Sequence, residues 1–226
     1  MIKNRNIQIL FQTIYCTIGI VGLLASLGLF SAKFNTDFYV YYTNLSNYIC
    51  IGFMFASLFK TMKKANKKEE GPVTFAPTFK FMSMIMIMVT FFVYNILLAK
   101  DNGIVEYFTS LNNLTMHVIL PIMFVLDWVL FYEHDKTKWY YPLLSTIMPL
   151  IYVVFILIRA TIINHTTTSV VYPYFFLNLE TLGWQGFFMW LSILVFDFIA
   201  LGYLIYMFDH VKYIKKIKQP SEIREK

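Results

Sequence analysis

A threonine, a histidine, several asparagines and an arginine stand inside stretches otherwise built of Leu, Ile, Val, Phe and Met. Thr43, Ser46 and Asn47 are spaced i, i+3 and i+4, so they share one face of a helix. Asn113 and His117 repeat the i, i+4 spacing. Pro121 lacks the amide that would bond the His117 carbonyl, which predicts a kink there. Polar side chains in such surroundings either tie helices together by hydrogen bonds or mark a functional site, and both readings stand for each group. The chemistry they can do is definite. A histidine titrates near neutrality and can act as a general base on a hydroxyl nucleophile. An asparagine amide, here Asn47 or Asn113, can donate to a developing oxyanion.

Arg159 is always charged and holds carboxylates or phosphates with paired donors. It can equally snorkel to the interface or pair with Glu180 or Asp37. Asp127 reads as bonding to interfacial partners near a helix end. Asp197, near the middle of an apolar run, is the more expensive group, either protonated or paired. Cys16 and Cys50 both fall inside apolar runs and read as small core residues. No Cys-x-x-Cys spacing occurs, and neither a metal nor a cofactor is expected.

The elements that must position these groups follow from composition. The 226 residues are 58% hydrophobic and only 14% charged, against about 25% charged in a soluble domain. A helix needs about 20 mostly apolar residues to cross a bilayer, and six runs qualify, over about 8–31, 38–60, 79–99, 109–132, 140–162 and 184–209. The chain therefore reads as all-α, a polytopic membrane protein, with residues 1–226 forming a single six-helix transmembrane domain. The first run follows Lys3 and Arg5 but is longer than the apolar core of a signal peptide, so it counts as a helix.

Lysine placement predicts the orientation. With the N-terminus inside, the inner segments carry Lys3, Arg5, the run Lys60, Lys63, Lys64, Lys67 and Lys68, then Lys80, Lys136, Lys138 and the tail from Lys212 to Lys226. The outer segments carry only Lys33 and Lys100. Both termini are thus expected in the cytoplasm. The net charge of +6 is explained by this bias and by contact with anionic lipid, not by nucleic acid. The long outer connection, 163 to about 183, contains Tyr-Pro-Tyr-Phe-Phe (172–176), which is too apolar to float in water. It is expected to lie at the interface or fold over the outer mouth.

Helices two and four run in the same direction. At about 1.5 Å per residue, Thr43 and His117 lie about 8 and 12 Å below the outer surface, so they meet if their helices are neighbours.

The stretches TNLSNYICIGF (43–53), LTMHVILPIMFVLDWVLF (114–131) and RATIINHTTTSVVYPYFFLN (159–178) resemble the three marker regions of the androgen-induced-gene family of six-helix membrane proteins, and its bacterial branch in particular. The resemblance covers nearly the whole chain in span number, orientation and marker order. It implies a threonine hydrolase that cleaves fatty-acid esters of hydroxy fatty acids within the membrane. Carried over, the nucleophile falls on Thr43 and the base on His117, the pair that depth alone selects. The connection before His117 is shorter than in the animal members, and Asn-Leu-Ser-Asn follows Thr43.

The expected function is an intramembrane lipid-ester hydrolase with a lipid substrate, seated in a bacterial plasma membrane. Thr43 and His117 are catalytic, and Asn47 or Asn113 stabilises the oxyanion or orients the base. Arg159, Ser46, Glu180 and Trp184 are the expected substrate contacts. The alternative is a non-catalytic lipid-binding protein or a small-solute transporter.

Overall fold

A computed structural model describes residues 1–30, 34–67, 71–98, 110–163 and 170–217. Lys33, Lys68, Lys100, residues 164–169 of the long connection and the tail beyond Ile217 lie outside the described residues. Six helices are long and apolar enough to cross a membrane. They are α1 (Arg5–Ser26), α2 (Tyr42–Asn66), α3 (Pro77–Val93, continued by a wide π-type turn at Tyr94–Leu98), α4 (Leu111–Phe131), α5 (Tyr141–Ile162) and α6 (Leu179–Ile217). No strand occurs among the described residues.

The bundle is apolar outside, and its apolar interior is threaded by polar side chains. α1 turns a row of Gln8, Gln12, Tyr15, Gly19, Gly22 and Ser26 inward at alternating three- and four-residue steps. Its Leu10 is 60% exposed, and Ile162 and Phe208 are each 73% exposed. A bilayer solvates such apolar side chains, so the inward stripe is free to carry polar and small residues that hold helices together. α2 answers with Thr43, Ser46, Asn47, Ser57 and Thr61, all buried.

Several boundaries differ from the apolar runs because capping, not hydropathy, ends a helix. α1 starts at Arg5 because the Asn4 side chain accepts from the amides of Asn6 and Ile7. α6 starts at Leu179, with Asn178 Oδ1 accepting from Glu180 and Thr181, and it breaks at Gly183 (φ 63°, ψ 175°) before continuing through the bundle.

At the end of the bundle away from Thr43, Lys80 of α3 meets Asp127 of α4. Nζ lies 2.8 Å from Oδ2, and both side chains are fully buried. Lys80 also donates to the Phe124 carbonyl at 3.0 Å. Gln12 of α1 bridges Asp127 (3.3 Å) and Ser57 of α2 (3.0 Å). The expectation of interfacial partners for Asp127 is therefore corrected: it is the centre of a four-helix polar knot. Nearby, Asp209 of α6 accepts from the Thr137 hydroxyl (2.7 Å), from the amides of Lys136 and Thr137, and pairs with His134 (3.0 Å), which pins the α4–α5 connection. Asp197 is exposed on the face of α6.

Candidate functional site

Thr43 sits in the first turn of α2, where helix amides have no partner within the helix. No side chain of α2 caps that end. Instead Tyr174, from the connection before α6, brings its hydroxyl to 3.4 Å from the Thr43 main-chain nitrogen and 3.4 Å from Thr43 Oγ. Both contacts are at the long end of hydrogen-bonding range. Tyr174 is held by a stacked Phe176 ring 5.0 Å away and is itself buried. Burial keeps its phenol above the ordinary value, so it stays protonated and able to donate at neutral pH.

Asn47, one turn below Thr43, spends both amide protons. Nδ2 donates to the Thr43 carbonyl and to the Met116 carbonyl of α4, each at 2.9 Å. That second bond ties α2 to α4 one residue before His117. Ser46 donates to the Thr43 carbonyl (3.0 Å) and meets Thr90 of α3 at 2.9 Å. Ser46 and Asn47 therefore position Thr43 and do not face the open space around it.

α4 departs from regular α geometry at Thr115–Ile119, where the turn widens to π type. The kink expected at Pro121 takes this form, one residue of extra winding inserted just before the proline. The His117 carbonyl faces the Asn95 amide at 3.4 Å. The widened turn also changes which asparagine shares the histidine's face. In a π turn the neighbour is i, i+5, and Asn112, not Asn113, lines the same space as His117. Asn113 contributes its main-chain carbonyl, which faces the imidazole. The ring is 6% exposed and stacks on Tyr94, centroids 3.4 Å apart and planes 13° apart, and its Nδ1 has no hydrogen-bond partner.

Thr43 and His117 line one chamber of about 350 Å³ and mixed polarity, together with Asn44, Asn112, Tyr94 and Tyr174. Their side chains are not hydrogen-bonded to each other; they face a common volume. Thr43, Tyr94 and Tyr174 also border a second cavity, an apolar slot of about 60 Å³ between α3, α5 and α6 that Leu150, Val153, Leu194 and Phe198 line as well. Chamber and slot thus share Thr43.

The other expected substrate contacts lie elsewhere. Arg159 donates to the carbonyls of Val170 and Val171 and stands 3.5 Å from Asp37, which itself accepts from the Val170 amide. It straps the described part of the long connection, whose Pro173 and Tyr174 wall the chamber. Glu180 is exposed at the start of α6, and Trp184 is 60% exposed and stacks on Phe188. None of the three lines the chamber. Tyr174 and Asn112 were missed as site residues. The Tyr-Pro-Tyr-Phe-Phe stretch was the available signal for the first, whereas nothing in the residue order marks a π turn for the second. No group of three or more His, Cys, Asp or Glu able to hold a metal occurs among the described residues.

Compared with known proteins, the chain matches no family model, no curated protein and no solved structure.

Proposed function

We propose that this protein is an intramembrane hydrolase of lipid esters that uses Thr43 as nucleophile and His117 as general base. The observation that carries the reading is the junction at Thr43: a threonine and a histidine lining one chamber, with an apolar slot bordering the same threonine. An ester lying across that junction has the first methylenes of its acyl chain in the slot and its carbonyl at Thr43.

In the first half-reaction a ring nitrogen of His117 takes the Thr43 hydroxyl proton as Oγ forms a bond to the carbonyl carbon. The carbonyl π pair moves onto oxygen. Collapse of that intermediate breaks the bond to the leaving alcohol, which takes the proton back from His117. Water then attacks the acyl-threonine with the same base, releasing the fatty acid and restoring Thr43. Asn47 has no free proton for the oxyanion, because both are given to main-chain carbonyls. The donor adjacent to Thr43 Oγ is the Tyr174 hydroxyl, whose oxygen accepts the Thr43 main-chain N–H. Tyr94, stacked on His117, keeps the ring plane fixed.

We also infer, from the lysine distribution, that both termini are cytoplasmic and that the chamber lies in the outer leaflet of a bacterial plasma membrane. The test is ester hydrolysis by the purified protein in liposomes, across a panel of long-chain esters, comparing wild type with Thr43→Ala and His117→Ala. The reading expects turnover by wild type, no turnover by Thr43→Ala, and a loss of about 10²–10⁴-fold in kcat for His117→Ala. An inert wild type, or variants that fold and keep their activity, would make the pair structural.

A further inference from the structure

Asp197 has no part in the reaction proposed above, and the fold leaves it in a costly place. It stands midway along the apolar stretch of α6, between the break at Gly183 and Val211. Its side chain is exposed, and it lines neither the chamber nor the slot. Among the described residues it has no hydrogen-bond or ion-pair partner. Its neighbours on the outward side, Ile193, Phe196 and Leu204, are exposed apolar side chains. In a helix that crosses a bilayer this surface meets hydrocarbon, where an ionisable group is among the most expensive a span can carry. Such groups normally face the interior of a bundle, as Lys80 and Asp127 do here.

α6 is also the least covered helix. Of its most apolar stretch 17% is buried, against 33–50% in the other five spans. Lipid tails are as apolar as leucine, so exposed apolar side chains alone give another helix little reason to settle there. A polar group that finds a partner does.

The chain itself narrows what that partner is. Among the described residues no exposed Lys or Arg stands at mid-span in any of the six helices, so a second copy offers no cation at this depth. It does offer Asp197. Copies inserted in one orientation carry that residue at one depth, and a two-fold axis along the membrane normal sets each opposite itself. Two carboxyl groups in contact hydrogen-bond to each other whenever one keeps its proton, the acid O–H donating to the other's oxygen. A foreign helix would have to bring a cation to this depth, whereas a second copy brings the matching group by symmetry alone.

We propose that the protein pairs with a second copy of itself through the outward face of α6. The two Asp197 carboxyls hydrogen-bond across the axis, and Ile193, Phe196 and Leu204 close around them. This inference does not depend on the hydrolase reading.

The experiment measures energy transfer between donor-labelled and acceptor-labelled copies of the whole chain in liposomes, as the protein is diluted in lipid, for wild type, Asp197→Asn and Asp197→Leu. Wild type is expected to dimerise reversibly. Asp197→Leu is expected to keep the wild-type thermal unfolding temperature in detergent and to raise the dimer dissociation constant by about tenfold or more. Asp197→Asn is expected to keep the dimer, because an amide both donates and accepts. A wild type that stays monomeric at every dilution, or an Asp197→Leu protein that dimerises as wild type does, would overturn the proposal. The other occupant shows itself in the same liposomes. Monomeric wild type that transfers energy to an oligoleucine helix with one central lysine, but not to its all-leucine counterpart, places a basic partner helix on this face and rules out the second copy.

Discussion

Thr43 is gripped from behind and left open in front. Its carbonyl accepts from Ser46 and Asn47, and its amide and hydroxyl face Tyr174. The helix start therefore holds one hydroxyl in a fixed place beside the Tyr174 hydroxyl, the arrangement that a nucleophile with an adjacent oxyanion donor requires. With Tyr174 as that donor, Tyr174→Phe lowers kcat by about 10²–10³-fold and leaves KM nearly unchanged. A change in KM alone, measured on any ester that wild type turns over, would reduce Tyr174 to a cap on α2. Because burial raises the Tyr174 phenol, its proton is retained as pH rises, and the alkaline limb of the rate profile shows no loss from this group below about pH 10.

At the scale of the helices, the polar knot at Lys80 and Asp127 decides how α1 to α4 are clamped. Neither charge reaches solvent, so removing one strands the other. Lys80→Met or Asp127→Leu alone is expected to cost about 3–5 kcal/mol, and the double replacement to recover most of it. Thermal unfolding in detergent checks this; two additive losses would contradict it.

What could be read from residue order follows the same division. The six spans are legible because each is a run of apolar residues of bilayer length, and that Thr43 and His117 line one space is legible because two parallel helices place them at similar depth. The Lys80–Asp127 contact was not, because the two lie 47 positions apart and nothing local distinguishes a loop-edge lysine from a buried one. Asn112 was hidden for a different reason. A regular helix puts Asn113 on the histidine's face, and only the extra residue in the turn at 115–119 substitutes its neighbour. Arg159 reads as a ligand for an acidic head group; its Nη1 donates to carbonyls eleven and twelve positions downstream, while Nε and Nη2 are buried without a hydrogen-bond partner.

Over the whole molecule, the site is one-sided. Met54, Ile85, Met116 and Leu120 fill the centre of the core at 0% exposure, and the opposite end is closed by the neutral Lys80–Asp127 pair. A chamber and an apolar slot that share one threonine suit the amphipathic substrate proposed above. The slot gives a direct check. Leu150, which lines it and is 39% exposed, replaced by Trp, is expected to depress hydrolysis of long-chain esters while a short-chain water-soluble ester is still cleaved. Equal loss for both chain lengths would place entry elsewhere.

The proposed reaction turns on a covalent bond formed at Thr43. The most direct measurement is rapid quenching of the wild-type protein during turnover of a long-chain ester, followed by peptide mass spectrometry. The prediction is an acyl adduct on the peptide that begins α2, localised to Thr43 and missing from Thr43→Ala. Steady turnover with no adduct at Thr43, or with an adduct on another residue that survives Thr43→Ala, would contradict it.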